Sequence, residues 1–301
     1  MIEEILRIMP RFIAEEIVHL NLNNSITEIR IRSKNKIIVI CSKNEFVLDL
    51  IASPKIILDI LLNVSKMSIY AIQTDLNNGF VVIRGGHRIG VCGEVVYENG
   101  RIKNIKNICS LNIRVARQIF GCADRVMPQI IINGIFQNTL IVSPPGCGKT
   151  TLLRDIIRQI SNGIKTLGIN GKNVSLIDER GEIASCYEGA PTLDIGIRTD
   201  VMSNIDKSTG MSMVIRSMAP DIIATDEIGS AKDILAIKAA ILSGVKVIFT
   251  MHGDSLKSVL ENANVKELID MNVFSKIILL SSGKIPGIVE KIYDGGAYVS
   301  N

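Results

Sequence analysis

Tryptophan is absent from the 301-residue chain, and aromatic residues make up only 4% of it. So low an aromatic content counts against a surface built to stack unpaired bases. No charge of one sign dominates either: 34 Lys and Arg face 30 Asp and Glu, a net charge of +4 with no long run of like charges. A dedicated nucleic-acid binder carries a stronger basic bias. The six cysteines (Cys41, Cys92, Cys109, Cys122, Cys147 and Cys186) contain no pair at the short spacing of a zinc site. Their scatter fits the reduced thiols of a cytosol rather than a disulfide framework. The segment MIEEILRIMPRFIAEE is acidic early and has no apolar stretch of the kind a secretory leader needs, so none is expected. No apolar run approaches the roughly 18 residues of a membrane span. The expectation is a cytoplasmic chain, soluble or attached to a membrane only at its surface.

What the chain has in quantity is aliphatic residue: 47% is hydrophobic and 21% charged, enough to build sizeable cores, and two domains suit the length. Up to about residue 117 short β-branched runs alternate with turns. Ile26–Arg32, Lys36–Cys41 and Glu45–Leu50 read as strands, Pro54 opens a helix, and Asn99-Gly100 is a hairpin turn. After residue 136 the rhythm becomes strand, helix, strand, helix, which indicates α/β architecture with a parallel sheet. The expected organisation is an N-terminal α+β domain (1–117), a linker (118–136) and a larger P-loop domain (137–301).

The chemistry begins at Ser143-Pro144-Pro145-Gly146-Cys147-Gly148-Lys149-Thr150-Thr151. An apolar strand precedes it and an amphipathic helix follows, which is the context a phosphate-binding loop requires. Gly146 and Gly148 let backbone N–H groups curl round an anion, and the new helix points its positive end there. Lys149 supplies charge for the β- and γ-phosphates, and the Thr150 hydroxyl is a Mg²⁺ ligand candidate. The expected cofactors are ATP and Mg²⁺. Position 143, where the pattern usually has its first glycine, is serine. Two other strands end in acids: Ile222–Thr225 leads into Asp226-Glu227, and Val174–Asp178 into Glu179, with Glu182 close behind. With the first placed beside the P-loop strand, Asp226 falls near the metal and Glu227 near the attacking water. A third strand ends at Thr250 and His252, on the sheet edge where open α/β folds bind ligands; either is a candidate γ-phosphate sensor. Arg84, Arg88, Arg114, Arg117, Arg180, Arg198 and Arg216 are the candidates for an arginine acting from a neighbouring subunit.

Ile197–Gly210 (IRTDVMSNIDKSTG), Met211–Asp221, Ala224–Gly229, Gly85–Gly93 and Ser110–Arg117, taken with the P-loop, resemble the stage III sporulation protein AA family. The likeness runs over nearly the whole chain. That family is similar to the ATPases of type II and type IV secretion systems. The resemblance implies a RecA-like core, a homo-oligomer in the form of a hexameric ring, and a motor in the mother cell that docks on the cytoplasmic face of a membrane channel leading to the forespore. It also raises Glu179 and Glu182 as catalytic glutamates beside Glu227, and places His252 in the position of a histidine box. Two other functions stay open on the residues alone: a nucleic-acid-dependent ATPase, and a nucleotide switch that does not hydrolyse.

Overall fold

A computed structural model describes residues 2–22, 25–41, 44–281 and 287–295. The chain divides into two units, Met1–Arg117 with Tyr187–Thr192, and Gln118–Cys186 with Leu193–Asn301.

The first unit is α+β. Helices α1 (Glu3–Ile8) and α2 (Arg11–His19) are broken at Pro10, which cannot donate a helical hydrogen bond. A six-stranded antiparallel sheet has the order β3-β2-β1-β6-β5-β4, where β1 is Ile26–Arg32, β2 Lys36–Cys41, β3 Glu45–Ile51, β4 Phe80–Ile83, β5 His87–Glu98 and β6 Arg101–Arg114. Alternation sorts the faces: Ile29 and Ile31 of β1 are fully buried while Glu28, Arg30 and Arg32 are only partly so, and Ile37 and Val39 of β2 are fully buried while Ile38 and Ile40 are only partly so. Helix α3 (Pro54–Val64) packs Ile57, Ile60 and Leu61 into the same core. Its Ser53 cap accepts a hydrogen bond from the Ile56 N–H at 3.3 Å. Asn99 (φ 52°) and Gly100 (φ 74°) make the turn between β5 and β6, as a two-residue hairpin of this twist demands.

The second unit holds a seven-stranded sheet in the order β9-β8-β10-β11-β7-β12-β13. In chain order these are β7 Thr139–Ser143, β8 Val174–Asp178, β9 Thr199–Ser203, β10 Ile222–Thr225, β11 Lys246–His252, β12 Lys276–Leu280 and β13 Val289–Asp294. All neighbours are parallel except β12 with β13. Strands β7, β8 and β10 are buried at every position, the mark of a sheet covered on both faces. Helices α4 (Lys149–Asn162), α5 (Lys207–Ser217) and α6 (Ala231–Leu242) supply covering layers. Residues 118–136, read from the sequence as a linker, bury Ala123, Val126, Met127, Ile130 and Phe136 in a core of this unit.

One expectation about strand order is corrected. Strand β10, which leads into Asp226-Glu227, does not lie beside the P-loop strand. Strand β11 is interposed, with His252 in register with Ser143. Along the carboxyl edge of the sheet the chain therefore presents Ser203, Asp178, Thr225, His252 and Ser143 in that order.

Candidate active site

The loop between β7 and α4 has the backbone of an anion cradle. Gly146 (φ 77°) and Gly148 (φ 91°) are left-handed, a conformation that strains any residue with a Cβ. A Cβ added at Gly146 would meet nothing within 4 Å, so dihedral angle rather than space makes glycine necessary there. Gly148 is the N-cap of α4 and offers no side chain to close the helix end. The first N–H groups of α4 are thus not capped by that side chain. Ser143, at the position where glycine is usual, is the last residue of β7, fully buried and without a positive φ. Serine is therefore tolerated without backbone strain.

Lys149 opens α4 and folds back over its own loop. Its Nζ donates to the Ser143 carbonyl at 3.0 Å and the Pro144 carbonyl at 3.3 Å, and lies 2.9 Å from His252 Nδ1. Burial lowers its pKa, and the nearby Glu227 carboxylate opposes that. On the far side of the imidazole, His252 Nε2 is 3.2 Å from Glu227 Oε1. An ammonium can only donate, so with Lys149 charged the acceptor is His252 Nδ1, which leaves Nε2 as the ring nitrogen that faces Glu227. Glu227 Oε2 is 3.5 Å from Arg180 Nη1. The interposed β11 makes this chain possible, because it sets His252 between the P-loop lysine and the acid of the next strand.

Thr250 takes a role other than the one its position suggested. It is 2% exposed, and its Oγ1 accepts the Glu227 N–H at 2.9 Å. It fixes the backbone that carries Glu227 instead of facing a ligand. Thr225 Oγ1 is likewise spent on the Ile177 carbonyl at 2.8 Å.

The acids divide by environment. Asp178 is fully buried and accepts from the N–H groups of Glu182, Ile183 and Ala184 at 2.8–3.2 Å. It shapes the loop after β8. Arg154, on α4, completes that clamp by donating to the carbonyls of Ile183 and Glu182 at 2.6 and 2.7 Å. Glu182 serves this clamp through its backbone while its side chain is exposed. Glu179 is ion-paired with Lys207. Asp226 is 6% exposed and its Oδ1 has no hydrogen-bond partner. Its nearest cation is Lys207 Nζ at 3.8 Å. Burial pushes Asp226 up to about 6, with Lys207 opposing and Asp178 adding to the rise.

That orphaned oxygen bears on whether these residues fit Mg²⁺. Among the described residues no group of three or more His, Cys, Asp and Glu forms a cage that would hold a metal. Mg²⁺ at phosphoryl-transfer sites takes only one or two carboxylates and fills its other positions with phosphate oxygens and water. A buried carboxylate with a free acceptor, together with the Thr150 hydroxyl at the start of α4, fits that donor set.

Of the candidate arginines, the structure brings Arg180 alone to the described acids. Arg198 donates to the Ser161 carbonyl at 3.0 Å and Arg117 to the Ile26 carbonyl at 2.8 Å. Arg88 lies over the Phe80 ring, and Arg84 is 3.9 Å from Glu4. Arg114 and Arg216 are exposed. The residue that sequence reasoning missed is Lys207, the first residue of α5. Its one signal was a cation at the start of a helix, where the macrodipole disfavours it.

Comparison with known proteins bears directly on this geometry. The family model described as "Sporulation stage III, protein AA" matches residues 2–299. The chain is 42% identical over 235 residues to Stage III sporulation protein AA of Bacillus subtilis (strain 168), covering 78% of this chain and 76% of that one. The chain belongs to the stage III sporulation protein AA family. Among solved structures it is similar to the pilus retraction motor PilT with bound ADP, at a TM-score of 0.59 and 16% identity over 88% of this chain and 76% of that one. It is also similar to the Legionella pneumophila ATPase DotB, at 0.57 and 15%, over 90% and 76%. At those identities the likeness shows the fold: a RecA-like P-loop core with a smaller α+β domain. Among the described residues no single helix is long and apolar enough to cross a membrane.

Proposed function

We propose that the chain is an ATP-hydrolysing motor of spore formation, binding Mg-ATP on Pro144–Thr151 and using Glu227 as the residue that activates water. The observation that carries this reading is the link from Lys149 through His252 to Glu227, 2.9 Å on one side of the imidazole and 3.2 Å on the other. It joins a phosphate-binding cation to a half-exposed carboxylate at the edge where open α/β sheets bind ligands.

In this reading the N–H groups from Gly146 to Thr150 and the start of α4 cradle the phosphates. Lys149 exchanges the Ser143 and Pro144 carbonyls for phosphate oxygens. Thr150 and Asp226 hold Mg²⁺, which supplies neutralising charge to the transferred group. Glu227, its backbone pinned by Thr250 and its carboxylate held by His252, orients water and takes its proton. Glu227 is preferred over Glu179 and Glu182 because it is the glutamate that His252 joins to Lys149, whereas Glu179 pairs with Lys207. When the nucleotide draws Lys149 away, His252 loses its donor and is freed to report the γ-phosphate to Glu227. Family membership and the secretion-ATPase fold support assembly into a homo-oligomeric ring, proposed to be a hexamer, at the cytoplasmic face of a membrane channel in the mother cell. Arg180 is the arginine best placed to work at the phosphates.

The test compares Glu227→Gln, Glu179→Gln and Glu182→Gln for Mg-ATP binding and for phosphate release. Glu227→Gln is expected to keep its affinity and lose turnover by roughly a hundredfold or more, the range for removing a catalytic base. A variant at Glu179 or Glu182 that loses more turnover than Glu227→Gln would move the assignment to that residue.

A further inference from the structure

Lys207 is not part of the P-loop pattern, yet it is placed at some energetic disadvantage. It is the first residue of α5, after the Asp206 cap, where the helix dipole opposes a cation. A lysine there normally extends its flexible stem and keeps its charge in water. Here the side chain is 8% exposed and reaches inward, where its ammonium pairs with Glu179 and stands 3.8 Å from Asp226 Oδ1. Burying an ammonium is costly unless carboxylates compensate.

The acids it meets are the ones the backbone has left over. Asp178, next to Glu179 in the chain, spends both oxygens on loop N–H groups. Glu179 and Asp226 do not, and Asp226, more than nine-tenths buried, turns an oxygen with no hydrogen-bond partner into the same space. They follow the ends of adjacent parallel strands, β8 and β10. Without Lys207, two carboxylates, one of them with an oxygen that accepts no hydrogen bond, would converge with no internal cation between them. Hard divalent cations take sites of that composition.

We propose that Lys207 is a resident counter-ion that keeps a bare divalent cation from loading the acidic edge, so that metal enters only with a nucleotide whose phosphates bring ligands of their own. This rests on the assignment of Asp226 as a metal ligand made above. The ammonium neutralises one of the two carboxylate charges and fills space beside Asp226. A bare ion must displace it, whereas an ion already held by phosphates needs only the single free oxygen. Lys207 is a positioning residue in this scheme: it acts through Asp226 and touches no nucleotide.

The experiment is equilibrium binding of Mn²⁺ alone to the full-length, nucleotide-free chain at pH 8, read from the electron paramagnetic resonance signal of free Mn²⁺. Wild type, Lys207→Met, Lys207→Arg and the double variant Lys207→Met/Asp226→Asn are compared. Lys207→Met is expected to gain one site that binds roughly tenfold or more tighter than anything in wild type, as removal of a buried like charge near the ion predicts. Lys207→Arg behaves as wild type, and the double variant loses the gained site. A folded Lys207→Met that titrates like wild type overturns the proposal, and so does a gain that survives in the double variant. A purely structural ion pair would lower the melting temperature without creating a metal site. Lys207→Gln replaces Lys207→Met if the latter does not fold. Mg-ATP binding by wild type is measured alongside. A wild type that binds no nucleotide while Lys207→Met gains Mn²⁺ overturns the nucleotide reading and leaves the counter-ion in place. Tight Mg-ATP binding with no gain in Lys207→Met does the reverse.

Discussion

Asp226→Asn is expected to stabilise the nucleotide-free protein at pH 8 and to change it little at pH 4. Burial is the main cause that lifts Asp226 from the ordinary 3.8 to about 6, with Lys207 working in the opposite direction. An unfolded chain ionises this carboxyl near its ordinary value. As pH rises from about 4 to about 6, the unfolded state therefore gives up a proton that the folded state retains, and folding loses free energy through that window. At about 1.4 kcal/mol per pKa unit, the gap between 3.8 and about 6 amounts to about 3 kcal/mol. Asparagine keeps the shape and has no ionised form to bury. Lys207 keeps Glu179 as its partner, so the substitution leaves no unpaired ammonium. The melting temperature should rise by roughly 5 °C or more at pH 8, by less at pH 5, and by least at pH 4. Thermal melts followed by circular dichroism, with chelator present and nucleotide absent, measure this. A variant that melts below wild type at pH 8 would refute the reasoning, because it would show ionised Asp226 to be a net stabilising partner of Lys207.

Lys149→Ala should lower phosphate release by on the order of a hundredfold or more, the effect of removing a preorganised charge. Its melting temperature without nucleotide should not fall, because Lys149 is a desolvated cation paired mainly with carbonyls; a large loss of stability would contradict that picture. Thr250→Val leaves the part-buried Glu227 N–H without its 2.9 Å acceptor. It should cost about 1–3 kcal/mol in denaturant unfolding and reduce turnover more than Mg-ATP affinity. Ser230→Ala removes one half of the capping box on α6, where Ser230 Oγ accepts from Asp233 N–H at 3.2 Å. It should cost about 1 kcal/mol and leave nucleotide affinity unchanged.

The P-loop was legible because its demands fall on the backbone. Only glycine accepts the dihedral angles of positions 146 and 148 at little cost, and a strand and a helix must flank them. The ends of strands were legible for a related reason: Ile222–Thr225 and Val174–Asp178 are apolar runs that stop at acids, and a sheet covered on both faces requires that pattern. The order of those strands was not legible. Each central strand is buried on both faces, so no alternation records which neighbour it pairs with, and the interposed β11 could not be read from the chain. Thr199–Ser203 was missed as a strand because it lies at the sheet edge and is only partly buried. Lys207 was missed because one lysine before a helix looks like a surface charge until the fold closes over it. Thr250 was read as facing a ligand because its position at the strand end was visible and its hydrogen bond was not.

The central claim is that Lys149 and Glu227 belong to one hydrolytic site. The measurement that tests it most directly is phosphate release from Mg-ATP by the purified chain over a range of protein concentrations, with Lys149→Ala and Glu227→Gln run beside it. The account predicts release that rises in specific activity as copies assemble, and that both variants abolish. Release that persists in both variants, or Mg-ATP binding without release at any concentration, would contradict it; the second result would make the chain a nucleotide switch instead of a motor.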